Sequence, residues 1–384
     1  MLSQEKPGKK AVIFEIGDIR TDGRCRNIAA SLVRWGMTVT FIGTGDHDDE
    51  RDNLDTIRVE LLSVIKLLGT KVMFLHYWLR AFWRGVNGNP SLIVAGDLYS
   101  LPAALAVKLF TNAPVLYDAK ELYFALASLH ERPLMQKFWS AIERYCITYA
   151  DGVITSGERD SDLIGERYGI PRPVTINNHP PRRKQPGDKR ILRNTFTIHD
   201  SYHIFLYQGW LMRGRGLFLL IDTAASIDTV FLVIMGDGAI RRELEEYAHE
   251  KGIGNRVLIT GAIPYDTMLE YTSGADVGCA LIEDYGMSYR HARPNKMFEY
   301  IRAHVPVLVS NMPAMEEVVK EWGVGLAVDP DDRAGIVEAA KSFIEDPGFH
   351  AKCVENCEKA ATVFQWEEEE NKLIALLDTM KKNI

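Results

Sequence analysis

Short apolar runs alternate with stretches of helical spacing along the whole chain. Residues 11–16 (AVIFEI) predict a first buried strand. After Gly23 the apolar positions Ile28, Leu32 and Trp35 recur at helical intervals, Gly36 stops them, and 38–42 (TVTFI) predicts the next strand. Further buried strands are predicted at 92–95, 115–117, 152–155 and 174–176. Strands that alternate with helices predict right-handed βαβ units and a parallel sheet covered on both faces.

The rhythm breaks at residues 178–190 (NHPPRRKQPGDKR), where three prolines, a glycine and five basic residues exclude a core element. It then restarts, with strands predicted at 204–207, 231–235, 256–259, 277–281 and 307–309. The reading is two doubly wound α/β domains in tandem: residues 1–180, a linker at 181–190, and residues 191–364. A last helix, 365–384, begins with the acids Glu367–Glu370 and ends with Lys381 and Lys382, which suits the helix dipole. Sheets of this kind bind ligands beyond the carboxyl ends of their strands, so two that face each other would place a site in the cleft between them.

Composition narrows the class. With 384 residues, 46% hydrophobic and 25% charged, the chain can bury full cores. A net charge of −7 argues against nucleic acid as the partner. The charge is uneven, with 27 Lys and Arg against 23 Asp and Glu in residues 1–200, and 18 against 29 afterwards. The five cysteines form no CxxC pair and read as reduced thiols. No apolar run spans a bilayer and the start is polar, so the expected location is the cytoplasm.

Five segments at strand ends carry candidate chemistry. In 293–300 (RPNKMFEY), Pro294 and Asn295 open a helix, Asn295 as cap, whose free N–H groups and Lys296 can hold anionic oxygens, while Glu299 can accept two ribose hydroxyls. An ordinary capped surface helix is the alternative. In 207–217 (YQGWLMRGRGL), Arg213 and Arg215 with Gly209, Gly214 and Gly216 form a candidate diphosphate clamp, against a plain basic loop. Gly236, Asp237 and Gly238 end a strand and allow close backbone approach to a ligand, or form only a tight turn. The loop 17–27, with Gly17, Arg20 and Arg24, is no dinucleotide fingerprint but can face a phosphorylated group. In 117–123 (YDAKELY), Asp118, Lys120 and Glu121 follow a buried strand directly.

In this order the five segments resemble the retaining glycosyltransferases of family 4, over nearly the whole chain. PNKMFEYIRAHVPVLVS (294–310) is similar to the family's C-terminal signature, YQGWLMRGRGL to its phosphate loop, and VIMGDGAIRRELE (233–245) and YDAKELY to further blocks. FQWEEEENKLIALL (364–377) resembles the terminal helix that crosses back to the first domain. The resemblance implies a GT-B fold, two facing Rossmann-like domains, and retaining transfer from a nucleotide-sugar (UDP or GDP) to a glycan or lipid-linked acceptor, without a metal or other cofactor. Site residues follow from it. Lys120, Arg213, Arg215 and Lys296 act on the reacting groups. Gly209, Trp210, Asp237, Gly238, His291, Pro294, Asn295 and Glu299 hold the donor. Gly17, Arg20, Arg24, Asp97 and Glu121 hold the acceptor. The chain departs from the pattern in three places, at four positions. His291 stands where the family has the first of two glutamates, Trp210 and Arg215 where it has Arg and Lys, and Lys120 where it has His. They leave open an epimerase or hydrolase on the same fold, or a silent partner subunit.

Residues 61–84 carry a helical apolar stripe, Leu61, Ile65, Leu68, Val72, Leu75, Leu79 and Phe82, beside Lys66, Lys71, Arg80 and Arg84. Two readings stand: a core helix with a solvated basic edge, or a helix resting on an anionic membrane, which would make the protein peripheral on the inner face.

Overall fold

The computed structural model describes residues 9–45, 50–64, 70–125, 132–182, 187–284, 290 and 293–382. The chain divides into two compact units, Met1–Asn178 with Glu367–Ile384, and His179–Trp366.

The first unit runs β1 (Lys10–Phe14), α1 (Gly23–Arg34), β2 (Thr38–Gly45), β3 (Glu50–Leu54), β4 (Ile57–Ser63), α2 (Thr70–Gly88), β5 (Leu92–Ala95), α3 (Leu101–Thr111), β6 (Val115–Ala119), α4 (Pro133–Cys146), β7 (Gly152–Thr155), α5 (Glu158–Tyr168) and β8 (Val174–Thr175). The sheet order is β3-β4-β2-β1-β5-β6-β7-β8. Only the β3–β4 pair is antiparallel. Strand order reverses between β1 and β5, the place where a doubly wound sheet opens a crevice.

The hairpin β3–β4 is absent from the sequence reading. Ile57, Val59 and Leu61 are buried in a strand that pairs with β2 from Val39↔Ile57 to Gly45↔Ser63. Leu61 therefore cannot head a helical stripe. Ile65, Lys66 and Leu68, also counted in or beside that stripe, lie outside the described residues.

The second unit runs α6 (Ile191–Phe196), β9 (His203–Gln208), α7 (Leu217–Ser226), β10 (Val230–Met235), α8 (Arg241–Glu250), β11 (Val257–Gly261), α9 (Tyr265–Tyr271), β12 (Val277–Ala280), α10 (Asn295–Arg302), β13 (Val307–Ser310), α11 (Pro313–Trp322), β14 (Gly325–Val328), α12 (Arg333–Glu345) and α13 (Pro347–Ala361). Its sheet, β11-β10-β9-β12-β13-β14, reverses between β9 and β12, and every pair in it is parallel. The short strand β14 also escaped the sequence reading, because four residues starting with Gly325 offer little pattern. Gly325 is there for space: a Cβ on it would lie 1.9 Å from the Val307 carbonyl oxygen. The segment expected as a free linker is partly packed on this unit. Ser273 donates to the Asp188 carbonyl at 3.2 Å and Lys189 to that of His304 at 3.3 Å.

The final helix, α14 (Trp366–Lys382), belongs to the first unit from Glu367 onward. Glu369 is buried there and takes both the backbone N–H (3.0 Å) and the side-chain amide (3.1 Å) of Asn177. Among the described residues no helix is long and apolar enough to cross a membrane.

Beneath α4 the first core encloses a carboxyl group. Glu143 accepts hydrogen bonds from the hydroxyls of Tyr117 (2.8 Å) and Tyr168 (2.6 Å), and burial pushes its pKa up from 4.5 to about 7. A folded state that holds this proton more tightly than the unfolded chain gains stability that is complete below pH 4.5 and lost as pH rises through about 7. Glu143→Gln should therefore lose less stability than wild type between about pH 5 and 8, by on the order of 2 kcal/mol. Urea unfolding at the two pH values measures the difference, and parallel pH dependences would refute it.

Candidate active site

In the second unit the crevice between β9 and β12 is built around one tyrosine. Tyr300 on α10 accepts the Gln208 N–H (3.1 Å) and donates to the Cys279 carbonyl (3.2 Å), which satisfies two backbone groups where the strands diverge. Gly278 makes room, since a Cβ on it would meet the Tyr300 ring at 2.2 Å. That anchorage sets the start of α10. Its N-cap position is Pro294, in extended conformation, which offers no side-chain cap to the first-turn N–H groups. Asn295 is thus the first helical residue and not the cap; Pro294, with φ −67° and ψ 131°, already provides the extended entry.

Lys296 turns inward from this first turn. It is buried, and its Nζ lies 3.5 Å from the centroid of the Tyr207 ring. Burial holds its pKa well below the usual lysine value and the neighbouring charge of Arg215 lowers it further, with Glu299 opposing. Above it the backbone is bare: a Cβ on Gly209 would stand 3.4 Å from that Nζ. The next loop presses against the same turn. Gly236 has φ +151°, and a Cβ there would fall 1.9 Å from the Gly209 carbonyl oxygen, so only glycine fits.

Glu299 is buried one turn further along α10. Its Oε2 accepts from Gln208 Nε2 at 2.5 Å, and Gln208 Oε1 accepts from Thr272 at 2.8 Å, which fixes the orientation of the amide. Burial raises the Glu299 pKa, and hydrogen bonds from Gln208 and Tyr265 oppose the rise. The remaining expected donor residues are placed differently. Asp237 bonds the Gly238 N–H at 2.8 Å and stands 3.5 Å from Arg241, which makes it a turn device. Trp210 is 66% exposed. Arg213 points away to the surface, where it pairs with Glu243 on α8 and lies over the Phe218 ring. The α7 N-terminus is less available than that of α10, because Glu283 takes the Gly216 N–H at 3.3 Å. His291 lies outside the described residues.

The first unit brings its charges together at the reversal between β1 and β5. Lys120 Nζ bridges Glu15 (2.5 Å) and Asp22 (2.8 Å). Against the effect of burial, Lys120 keeps Asp22 below the usual carboxylate range, whereas burial and the Asp22 charge push Glu15 well above it. Glu15 Oε2 is buried and makes no hydrogen bond among the described residues. Two residues expected to touch an acceptor are structural instead. Arg24 is 2% exposed, forms a two-point pair with Asp118 (2.7 and 2.8 Å), and also donates to the carbonyls of Ile176 and Thr155. Asp97 is buried, accepting from the Ile16 N–H at 2.8 Å and the Ser100 N–H at 2.6 Å. Arg20 is held by Asp18 in its own loop, Gly17 gives its carbonyl to the Thr44 N–H, and Glu121 is exposed.

Two family models account for most of this chain. Residues 188–360 match the model of glycosyl transferases group 1, and residues 23–179 match a glycosyl transferase 4-like domain. The chain belongs to the GT-B glycosyltransferases. The chain is 26% identical over 177 residues to an uncharacterized glycosyltransferase of Methanocaldococcus jannaschii, a stretch covering 45% of this chain and 43% of the relative. Its matches span about half the length of the curated relatives, 43% and 56% for two of them. Sucrose-phosphate synthase from Thermosynechococcus elongatus shares the fold with TM-score 0.80 and 18% identity, over 98% of this chain and 100% of that one. Anabaena HepE in complex with UDP and glucose does so with TM-score 0.76 and 16% identity, over 96% and 99%.

Sequence reasoning missed Gln208, Glu15 and Asp22 in these two crevices. Glu15 had a signal, an acid ending an otherwise apolar strand. Gln208 had none, since its importance comes from a contact across 91 residues.

Two outcomes are expected. Arg24→Ala leaves Asp118 buried without its partner and should destabilise the first unit by about 3–5 kcal/mol; a stable variant with a changed acceptor KM would contradict this placement. An anion bound at Lys296 raises the depressed pKa, so binding of a nucleoside diphosphate such as UDP should take up protons over the pH range in which Lys296 titrates. Calorimetry in buffers of different ionisation enthalpy measures the uptake, which should vanish in Lys296→Met.

Proposed function

We propose that the protein is a retaining, metal-independent glycosyltransferase that moves a sugar from a UDP- or GDP-linked donor to a glycan or lipid-linked acceptor in cell-surface glycoconjugate synthesis. One observation carries this reading: a buried amine, Lys296, stands beside a cation, Arg215, at a helix N-terminus opened by Pro294 and under bare glycine backbone. Burial and the neighbouring Arg215 both disfavour a charge on Lys296. An anion that interacts with both residues offsets that penalty, and a diphosphate fits the charge and the helix end. The UDP bound by Anabaena HepE, a neighbour in fold, supports the same ligand class.

Glu299 then serves as the acceptor for two ribose hydroxyls, its carboxylate oriented by Gln208. In the transfer step the bond between the anomeric carbon and the diphosphate oxygen breaks, and the acceptor oxygen bonds to that carbon on the same face. The acceptor proton passes to the departing phosphate oxygen. Lys296, Arg215 and the N–H groups that open α10 stabilise the charge developing on the diphosphate. No side-chain nucleophile is required. Lys120, pinned between Glu15 and Asp22, acts in the first unit by orienting these two carboxyl groups toward an acceptor.

Arg215→Ala should lower turnover by about 100-fold or more, the scale expected for one such stabilising group. Glu299→Gln should raise the donor KM, and excess EDTA should leave the rate unchanged. Assays with a sugar-nucleotide panel test these effects. Near wild-type kinetics in both variants, or a strict need for a divalent ion, would end the reading.

A further inference from the structure

Three helices of the first unit form one layer over its sheet, and their outward faces are the wrong chemistry for water. On α2 Val72, Leu75, Leu79 and Trp83 are exposed at steps of three and four, so the outer stripe of the helix is apolar up to Asn87, which is exposed at its end. The inner stripe, with Tyr77 and Ala81 fully buried, is apolar too. The same holds nearby: Leu109 and Phe110 at the end of α3 are 80% and 70% exposed, and Leu134 on α4 is 81% exposed. Ten of the twelve large apolar side chains exposed among the described residues lie between Val72 and Tyr149, which makes this a patch and not scatter.

The patch is continuous. The rings of Phe82 on α2 and Phe110 on α3 are 5.2 Å apart, Phe74 on α2 packs on Trp139 of α4 at 4.9 Å, and Lys108 on α3 donates to the Tyr149 carbonyl just beyond α4. Buried sides of all three helices share one core, so their outer sides face the same way.

On the three helices its exposed charge has one sign. α2 and α3 contain no carboxylate, and the single one on α4, Glu143, is buried beneath two tyrosine hydroxyls. On the exposed side of α4, Lys137 and Arg144 interleave with Leu134, Phe138 and Tyr145. Arg84 and Lys108 lie at the rim, paired with Glu60 and Asp151.

We propose that the outer face of α2, α3 and α4 docks on the surface of an anionic lipid bilayer. Protruding Leu and Trp side chains enter the acyl boundary, Tyr145 and Tyr149 sit at headgroup depth, and Lys137 and Arg144 meet lipid phosphates. Ridges of apolar and cationic side chains, whose exposed acid Asp151 is held by Lys108 at the rim, match a fluid anionic interface, which moulds to the ridges. This corrects the sequence expectation for 61–84: the surface starts within α2, and two other helices supply half of it. Docking does not depend on the donor chemistry above.

Co-sedimentation of the whole protein with vesicles of phosphatidylglycerol and phosphatidylcholine tests the proposal. Binding should be strong at low salt, fall as salt rises, and be weak on pure phosphatidylcholine. Leu79→Glu with Trp83→Glu should reduce partitioning at least about tenfold. Lys137→Glu with Arg144→Glu should remove the salt dependence. Both double variants should keep the wild-type thermal shift with UDP, which shows that they are folded and separates this test from the donor reading. Absence of binding to anionic vesicles at every ionic strength would overturn the proposal. So would loss, in Leu79→Glu with Trp83→Glu, of a concentration-dependent dimer that binds no vesicles, since the face would then be a protein interface.

Discussion

The second unit depends on how one hydroxyl resolves a backbone problem. Where β9 and β12 part, an N–H and a carbonyl lose their ladder partners, and the Tyr300 hydroxyl serves both. Buried backbone groups left unsatisfied would cost about as much as a lost hydrogen bond each. Because Tyr300 sits on α10, the same contact positions that helix, and with it the inward Lys296 and Glu299. Structural and chemical demands thus meet within one short helix. Gly278 belongs to this arrangement as the space that the ring occupies.

The two units handle charge in opposite ways. In the first, the ionisable groups at the crevice are matched within the protein: Arg24 with Asp118, and Lys120 with Glu15 and Asp22. A neutral, hydroxyl-rich ligand suits such a balanced site, where Glu15 keeps an oxygen without a hydrogen bond among the described residues. In the second, Lys296 and Arg215 repel one another, and the helix end adds to the positive potential. The charge imbalance of the sequence points the other way, since the later half is the acidic one. Local placement, not net charge, decides what a crevice binds.

Much of the fold was legible because buried parallel strands are short apolar runs between helices, and that signal repeats through both units. The hairpin β3–β4 was not, since Ile57, Val59 and Leu61 fit a strand while Leu61 and the later apolar positions also fit a helix. The proline-led helix after a strand was legible, and with it the place of Lys296 and Glu299 in its first turns. Arg24, Arg213 and Asp97 were misplaced because a sequence shows a charge near a loop but not the partner that claims it, and the partner of Arg24 stands 94 residues away. The stripe on α2 misled in another way: helical spacing shows that apolar residues share a face, but not whether that face points inward.

The return of α14 to the first unit has a consequence for biosynthesis. Asn177 closes its hydrogen bonds on Glu369, 192 residues later in the chain. During translation the second unit is complete before that carboxylate leaves the ribosome, so the earlier-made half waits in an unfinished state for the later one. A message interrupted after residue 366 would yield an intact second unit joined to a first that lacks its final element.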